Sequence, residues 1–141
     1  MFHIKALFFI MALYYALLGI IFAFIPASFF DLFAVTYPNH WGYVHVLGFT
    51  SFIWSLMSWN VSINPIKNRN LISYLALMHI FYTAGIFVDS GLFGMPTIWV
   101  YMAYASALNG LIYFAIYFLL GKVAFSDELA PKKIKGSKKV A

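Results

Sequence analysis

The side chains with the most chemical potential are strongly polar groups that sit within long apolar stretches. His79 and Asn109 lie near the middle of two such stretches, while His45 and Asp89 lie near the ends of theirs. Polar groups of this kind are costly inside a bilayer, so they often mark binding sites or proton relays. The chemistry open to them is hydrogen bonding, proton exchange and, for the imidazoles, ligation of a metal.

The spacing of polar residues in the third apolar stretch indicates which of them share a surface. His79 and Thr83 are four residues apart and lie on one helical face; Tyr82 and Asp89, seven apart, lie on the neighbouring face. Apolar and aromatic walls with a few converging polar groups are typical of sites for lipid-like or aromatic small molecules. The sequence therefore predicts an outward-opening pocket lined by His45, Trp54, His79, Tyr82, Thr83, Asp89 and Asn109.

A structural interpretation of the same residues stays open. A lone histidine in a helical bundle commonly donates a hydrogen bond to a neighbouring helix, and His79 fits that role too. Asp89 would then be an interfacial residue without a functional partner. Catalysis has no support, because the chain has no cysteine, no metal-ligand spacing such as H-x-x-x-H and no phosphate loop. We therefore predict that the protein is not an enzyme and binds no metal.

Two histidines in a helical bundle can be the axial ligands of a haem iron, so haem is the cofactor to consider. At a rise of about 1.5 Å per residue, His45 lies about 6 Å below the outer end of its helix and His79 about 15 Å below. Two axial ligands at depths that differ by about 9 Å do not suit one haem. We predict no cofactor, with bis-histidine haem as the weaker alternative.

The composition shows what kind of elements must position these residues. Of the 141 residues, 64% are apolar and only 9% are charged, whereas roughly 25% are charged in an ordinary soluble domain. A soluble domain of this size cannot bury so much apolar surface. We therefore predict an integral membrane protein, which excludes a soluble enzyme, a nucleic-acid-binding domain and a disordered regulator.

The apolar stretches are long enough to be membrane spans. A helix needs about 20 residues to cross a hydrocarbon core of about 30 Å. Such stretches cover residues 6–26, 42–63, 71–89 and 97–120, and small residues recur along three of them at the spacing of close helix contacts. The predicted fold is all-α, a four-transmembrane-helix bundle in up-down-up-down order, within one domain at residues 1–121.

The cations indicate the orientation of this bundle. With four crossings, all 9 Lys and Arg residues fall at one end, and Asp31 and Asp89 fall at the other. The positive-inside rule then places both termini in the cytoplasm. A cleaved signal peptide in place of the first span is the alternative, although that span exceeds the apolar core of a signal sequence.

Two segments lie outside the predicted spans. Residues 27–41 are too apolar to lie free in water, so we expect a short interfacial segment after the first helix, with Trp41 and Tyr43 anchoring the second span. A lid over an outer pocket is the alternative for this segment. Residues 122–141 form a predicted basic cytoplasmic tail, disordered and rich in lysine. Such a tail attracts anionic lipid headgroups, and we expect no nucleic acid.

The loop between the second and third spans resembles that of a known family. The run from Ser62 to Ile72, SINPIKNRNLI, resembles the stretch joining spans two and three in the BphX-like group of small bacterial membrane proteins. The run Phe87-Val88-Asp89-Ser90 fits the same group. Like the DoxX-type proteins, these are four-helix integral membrane chains of similar length. The resemblance implies the same fold and an accessory role, and it supplies no catalytic residues.

These observations lead to one main functional hypothesis and two alternatives. We expect a multi-pass protein of the bacterial inner (plasma) membrane that binds a lipid-like or apolar small molecule or serves as an accessory subunit. The first alternative is a structural subunit of a larger membrane complex. The second is a small oligomeric transporter, disfavoured because no acidic residue lies at mid-membrane to couple protons. The expected partners are the bilayer, anionic lipids through the Lys-rich tail, and a protein within the membrane.

Overall fold

The structure of the chain, a computed structural model, describes residues 1–33, 37–38, 40–93 and 97–129, with the backbone alone in 89–93, 97–98 and 124–129. Across this part of the chain, all regular secondary structure is helical. The helices are α1 (Phe2–Phe24), α2 (Pro26–Leu32), α3 (Trp41–Ile63), α4 (Arg69–Phe93) and α5 (Thr97–Leu129). The predicted all-α fold is confirmed.

The long helices match the predicted membrane spans. Among the described residues, four helical segments are long and apolar enough to cross a membrane: Phe2–Phe24, Trp41–Ile63, Arg69–Val88 and Trp99–Val123. The 23 residues of α1 extend for about 34 Å at about 1.5 Å per residue, slightly more than a hydrocarbon core of about 30 Å. The chain is therefore a multi-pass helical membrane protein.

Prolines set two of the helix boundaries. Pro26 has no N–H to continue α1, but its fixed φ suits the first turn of a new helix, and α2 begins there. At the other end of the bundle α3 ends at Ile63, and Asn64 is extended (φ −144°), as the residue before a proline usually is. Asn68 closes this loop by donating from its side chain to the Asn60 carbonyl at 2.6 Å.

The segment predicted to lie at the interface contains the short helix α2. It buries Phe30, whose ring packs edge-on against Trp41 with centroids 5.5 Å apart. The connector core, by which we mean buried Phe22, Phe30 and Val44, joins α2 to α1 and α3. We call this end of the bundle the connector end and the opposite end, where α1 begins and Lys122 lies, the terminal end.

The long helices pack as two pairs. α1 lies against α3, and α4 lies against α5, while contact between α3 and α4 is less extensive. Gly48 permits the closest approach, since a Cβ there would come within 2.4 Å of the backbone nitrogen of Ala23. A bond between helices adds to this packing, because Ser55 donates to the Ala12 carbonyl at 2.8 Å. The small residues thus serve close packing, as predicted.

A core at the terminal end joins the two pairs. In it Phe8 of α1 stacks on Tyr113 of α5, with ring centroids 5.0 Å apart. The terminal core consists of Phe8, Val61, Ile72, Leu75, Ala76, Tyr113, Ile116 and Leu120.

The last helix is longer than the sequence predicted. α5 continues to Leu129, so residues 122–129, assigned to a disordered tail, are helical. The sequence 122–129 lacks glycine and proline, and the helix ends two residues before Pro131. Residues 130–141, with the five lysines of the predicted tail, lie outside the described residues.

Candidate functional site

A cavity of about 90 Å³ lies between the two helix pairs, from the middle of the long helices toward the connector end. One water needs only about 10–15 Å³ measured in the same way, so the cavity admits a group of several heavy atoms. Phe22 of the connector core is one of its walls. The full lining is Tyr14, Tyr15, Leu18, Phe22, Leu47, Ser51, Trp54, His79, Tyr82, Met102, Ala105, Ser106 and Asn109.

The cavity is open on one side. Tyr14 on α1 is 43% exposed, and Ala105 on α5 is also exposed, although both line the cavity. Exposed lining residues mark the mouth, which therefore lies between α1 and α5. The mouth opens along the flank of the bundle, whereas the sequence predicted an outward opening. The connector core covers that outer direction.

His79 is hydrogen-bonded through both of its ring nitrogens. Its Nδ1 lies 2.7 Å from the Ser106 hydroxyl, and its Nε2 lies 2.5 Å from the Tyr15 hydroxyl. Ser106 donates its one proton to the His79 carbonyl at 3.2 Å, so Nδ1–H is the donor to Ser106. Nε2 then accepts from Tyr15. We assign a neutral imidazole with its proton on Nδ1 from this network.

Aromatic rings surround the same imidazole. Tyr113 packs against it edge-on with centroids 5.3 Å apart, and Trp54 lies 6.1 Å away on a tilted plane. Only 7% of His79 is exposed. The ring is therefore a fixed part of the cavity wall, held by hydrogen bonds to α1 and α5 and by aromatic contacts.

Three other polar side chains in the wall are available to a bound molecule. The side chains of Asn109, Tyr82 and Trp54 line the cavity but make no hydrogen bond within the described part of the chain. Together they offer an amide oxygen, an amide nitrogen, a hydroxyl and an indole N–H. The wall can therefore donate to and accept from a polar group inside the cavity.

The structure brings together four of the residues that the sequence predicted for the site. Trp54, His79, Tyr82 and Asn109 all line the cavity. They come from three different helices, α3, α4 and α5.

Two other predicted residues lie away from the cavity, which corrects the predicted set. His45 donates from Nδ1 to the Ala23 carbonyl at 2.9 Å and joins α3 to α1. Thr83 donates to the Ala103 carbonyl at 3.2 Å and joins α4 to α5. Both satisfy backbone carbonyls of a neighbouring helix, so their role is in packing. Asp89 lies within α4, but its side chain falls outside the described residues.

Sequence reasoning missed Tyr15 and Ser106, which position the imidazole. Tyr15 is one of 10 tyrosines in the chain, and nothing in its own stretch distinguishes it from Tyr14. Ser106 gave a usable signal, because it is a hydroxyl within the small-residue face that also carries Ala103 and Gly110. A hydroxyl on a face that approaches another helix has a polar group of that helix within reach.

Comparison with known proteins adds no relative to this description. Family models, curated proteins and solved structures all gave no match to the chain. In the residues that the structure describes, no group of three or more His, Asp or Glu side chains could hold a metal ion. The fold and the cavity thus define a four-span helical membrane protein with a cavity open on its flank.

Proposed function

We propose that the protein binds one small amphipathic molecule, largely apolar and carrying one or two hydrogen-bonding groups, in the cavity between its helix pairs. The observation that supports this most directly is the Asn109 amide in the cavity wall, which makes no hydrogen bond to any residue that the structure describes. The hydrocarbon core of a bilayer offers it no hydrogen bond, and an unsatisfied polar group there costs several kcal/mol, on the order of its water-to-alkane transfer. A bound polar group removes that cost.

The rest of the lining supports an apolar body for the bound molecule. Leu18, Phe22, Leu47 and Met102 line the cavity alongside the polar residues. A molecule whose polar group meets Asn109 and whose apolar part meets these side chains is the best complement to such a wall. The mouth between α1 and α5 faces the flank of the bundle, so entry from the lipid phase fits a molecule of this kind.

The proposed activity is binding without catalysis or haem. An imidazole that ligates iron must present a nitrogen lone pair, and in His79 that lone pair accepts from Tyr15. His45 is directed to the α1 backbone at Ala23. With both of its ring nitrogens bonded to protein groups, His79 is suited to shaping the cavity wall.

We propose the bacterial inner membrane as the location, with both termini cytoplasmic. In an up-down-up-down bundle, Lys5, Lys67, Arg69 and Lys122 share the terminal end, which agrees with the positive-inside rule. The resemblance to BphX-like proteins stays a prediction, as do an accessory role beside a protein partner and lipid attraction by the Lys-rich tail.

Native mass spectrometry of the mildly extracted protein, with an absorbance spectrum of the same sample, tests the proposal. We expect a retained small molecule and no Soret band. Asn109→Leu, similar in shape but without the amide, should release the molecule. Thr50→Val is the matched control, because Thr50 bonds the Val46 carbonyl of its own helix and does not line the cavity.

Three results would contradict this function. A Soret band would assign haem to the bundle. If the wild-type protein retained no molecule in any of several mild detergents, the Asn109 amide would lack the proposed partner and the binding function would be wrong. A foreign chain at equal stoichiometry with an empty cavity would favour the structural-subunit alternative.

A further inference from the structure

Arg69, at the start of α4, is held in a fixed position far from the cavity. Its guanidinium carbon lies 4.1 Å above the centre of the Tyr117 ring, a cation–π contact. On another side it lies against Gly121, where an added Cβ would come within 2.9 Å of the guanidinium carbon and 3.0 Å of Nη2. The absence of a side chain at position 121 thus makes room for the guanidinium between α4 and α5.

The charge of Arg69 is not neutralised by any described side chain. Arg69 makes no ion pair within the described part of the chain, and its Nε is buried there without a hydrogen-bond partner. A guanidinium that is oriented and has no counter-ion among the described residues is well prepared to bind an anion, because little side-chain freedom remains to be lost.

A groove at this point places a second cation beside the first. Arg69, Phe118, Gly121 and Lys122 line an open groove at the terminal end of the α4–α5 pair. The amide groups at the start of α4 add a partial positive charge of their own. The groove lies where the apolar helical segment Arg69–Val88 begins, which would be at the level of the lipid headgroups in a membrane.

We propose that Arg69 and Lys122 bind the phosphate group of an anionic phospholipid in this groove. Guanidinium binds phosphate through two parallel hydrogen bonds, and the ammonium of Lys122 adds a point charge. Phe118 is 63% exposed beside the cations, which gives the acyl chains an apolar surface to follow into the bilayer. Soluble phosphate shares the headgroup chemistry but gains nothing from Phe118.

Gly121→Ala separates this binding from the stability of the fold. The three atoms nearest to the new Cβ all belong to the Arg69 guanidinium, the far end of a long side chain that can rotate away from Gly121. Alanine also favours a helix more than glycine does. We therefore expect Gly121→Ala to fold normally while its guanidinium is displaced from the groove.

The test is native mass spectrometry of the full chain titrated with phosphatidylglycerol or phosphatidylcholine. We expect one phosphatidylglycerol per chain, preferred about tenfold or more, which is typical of a charge-assisted contact. Arg69→Gln and Gly121→Ala should each remove most of this preference. Lys67→Gln, which removes an exposed cation at the same end, and Gly85→Ala, where an added Cβ meets nothing within 4 Å, should keep it.

Further variants test where the lipid binds, and a competitor tests whether the bound phosphate belongs to a lipid. A full-length chain with its five tail lysines changed to glutamine should retain the preference, and so should Asn109→Leu, since the cavity is a separate site. Displacement of phosphatidylglycerol by millimolar inorganic phosphate would overturn the lipid assignment in favour of soluble phosphate. Equal uptake of both lipids, or an unchanged preference in both Arg69→Gln and Gly121→Ala, would overturn the site itself.

Discussion

The Tyr15 hydroxyl donates a hydrogen bond to Nε2 of His79 across the space between the two helix pairs. Tyr15 belongs to the α1–α3 pair and His79 to the α4–α5 pair, so this bond joins two halves of the bundle. Ser106 fixes the other nitrogen of the same ring from α5. The position of the imidazole, and with it the shape of the cavity, therefore depends on both pairs.

Tyr15→Phe should weaken the bundle without unfolding it. The change leaves Nε2 of His79 without its donor, and we expect a loss of about 1 kcal/mol in the free energy of unfolding. Steric-trapping or denaturant unfolding in detergent measures this. Tyr14→Phe is the matched control, because the Tyr14 hydroxyl makes no hydrogen bond to any described residue and the ring is partly exposed. Equal stability losses in both variants would contradict the assigned bond.

His45→Phe and His79→Phe should separate packing from binding. His45→Phe loses one hydrogen bond between helices and His79→Phe loses two. The free energy of unfolding should therefore fall by about 0.6 kcal/mol in the first variant and by about twice as much in the second. Only His79→Phe alters the cavity wall, and only this variant should lose the retained molecule in native mass spectrometry. Release of the molecule from His45→Phe, with His79→Phe still loaded, would refute the placement of the site.

Gly48→Ala should destabilise the α1–α3 pair. Its Cβ would lie 2.4 Å from the nitrogen of Ala23, a backbone atom that cannot turn aside. Overpacking of this kind costs about 1–3 kcal/mol. Gly85→Ala is the control, since nothing lies within 4 Å of its added Cβ, and its unfolding free energy should be unchanged or slightly higher. A stable Gly48→Ala would mean that the two helices are farther apart than described.

Tyr37 should titrate at unusually high pH. Its hydroxyl donates to the Asp31 carboxylate, and this hydrogen bond raises the pKa of Tyr37 above its ordinary value. The bond therefore contributes its full stabilisation of the folded protein below about pH 10, the ordinary tyrosine pKa. That stabilisation is lost as the pH rises through the higher pKa that Tyr37 has in the folded protein. The difference in tyrosinate absorbance between wild type and Tyr37→Phe isolates this group. In Asp31→Asn its ionisation should shift to lower pH, and an unshifted curve would contradict the contact.

Hydropathy and charge in the sequence determined the membrane class and the helices. Long apolar stretches can satisfy their backbone groups in lipid only as helices, so length and composition suffice to predict the spans. Pro26 and Pro65 mark helix boundaries because the pyrrolidine ring restricts the backbone of the proline itself and of the residue before it. The sequence also sufficed to predict His79 and Asn109 as site residues, since a polar group inside an apolar stretch is conspicuous.

Only the tertiary structure decided which polar residues meet. Spacing places His79 and Thr83 on one face of α4, and both side chains do contact α5. Spacing does not show that His79 alone also lines the cavity and bonds to Tyr15. The rotation of a helix about its axis is set by packing against its neighbours, which spacing within one helix does not contain. The same holds for Arg69 and Gly121, 52 positions apart in the chain. Their contact exists because α4 and α5 pair, and pairing is a property of all the helix surfaces together.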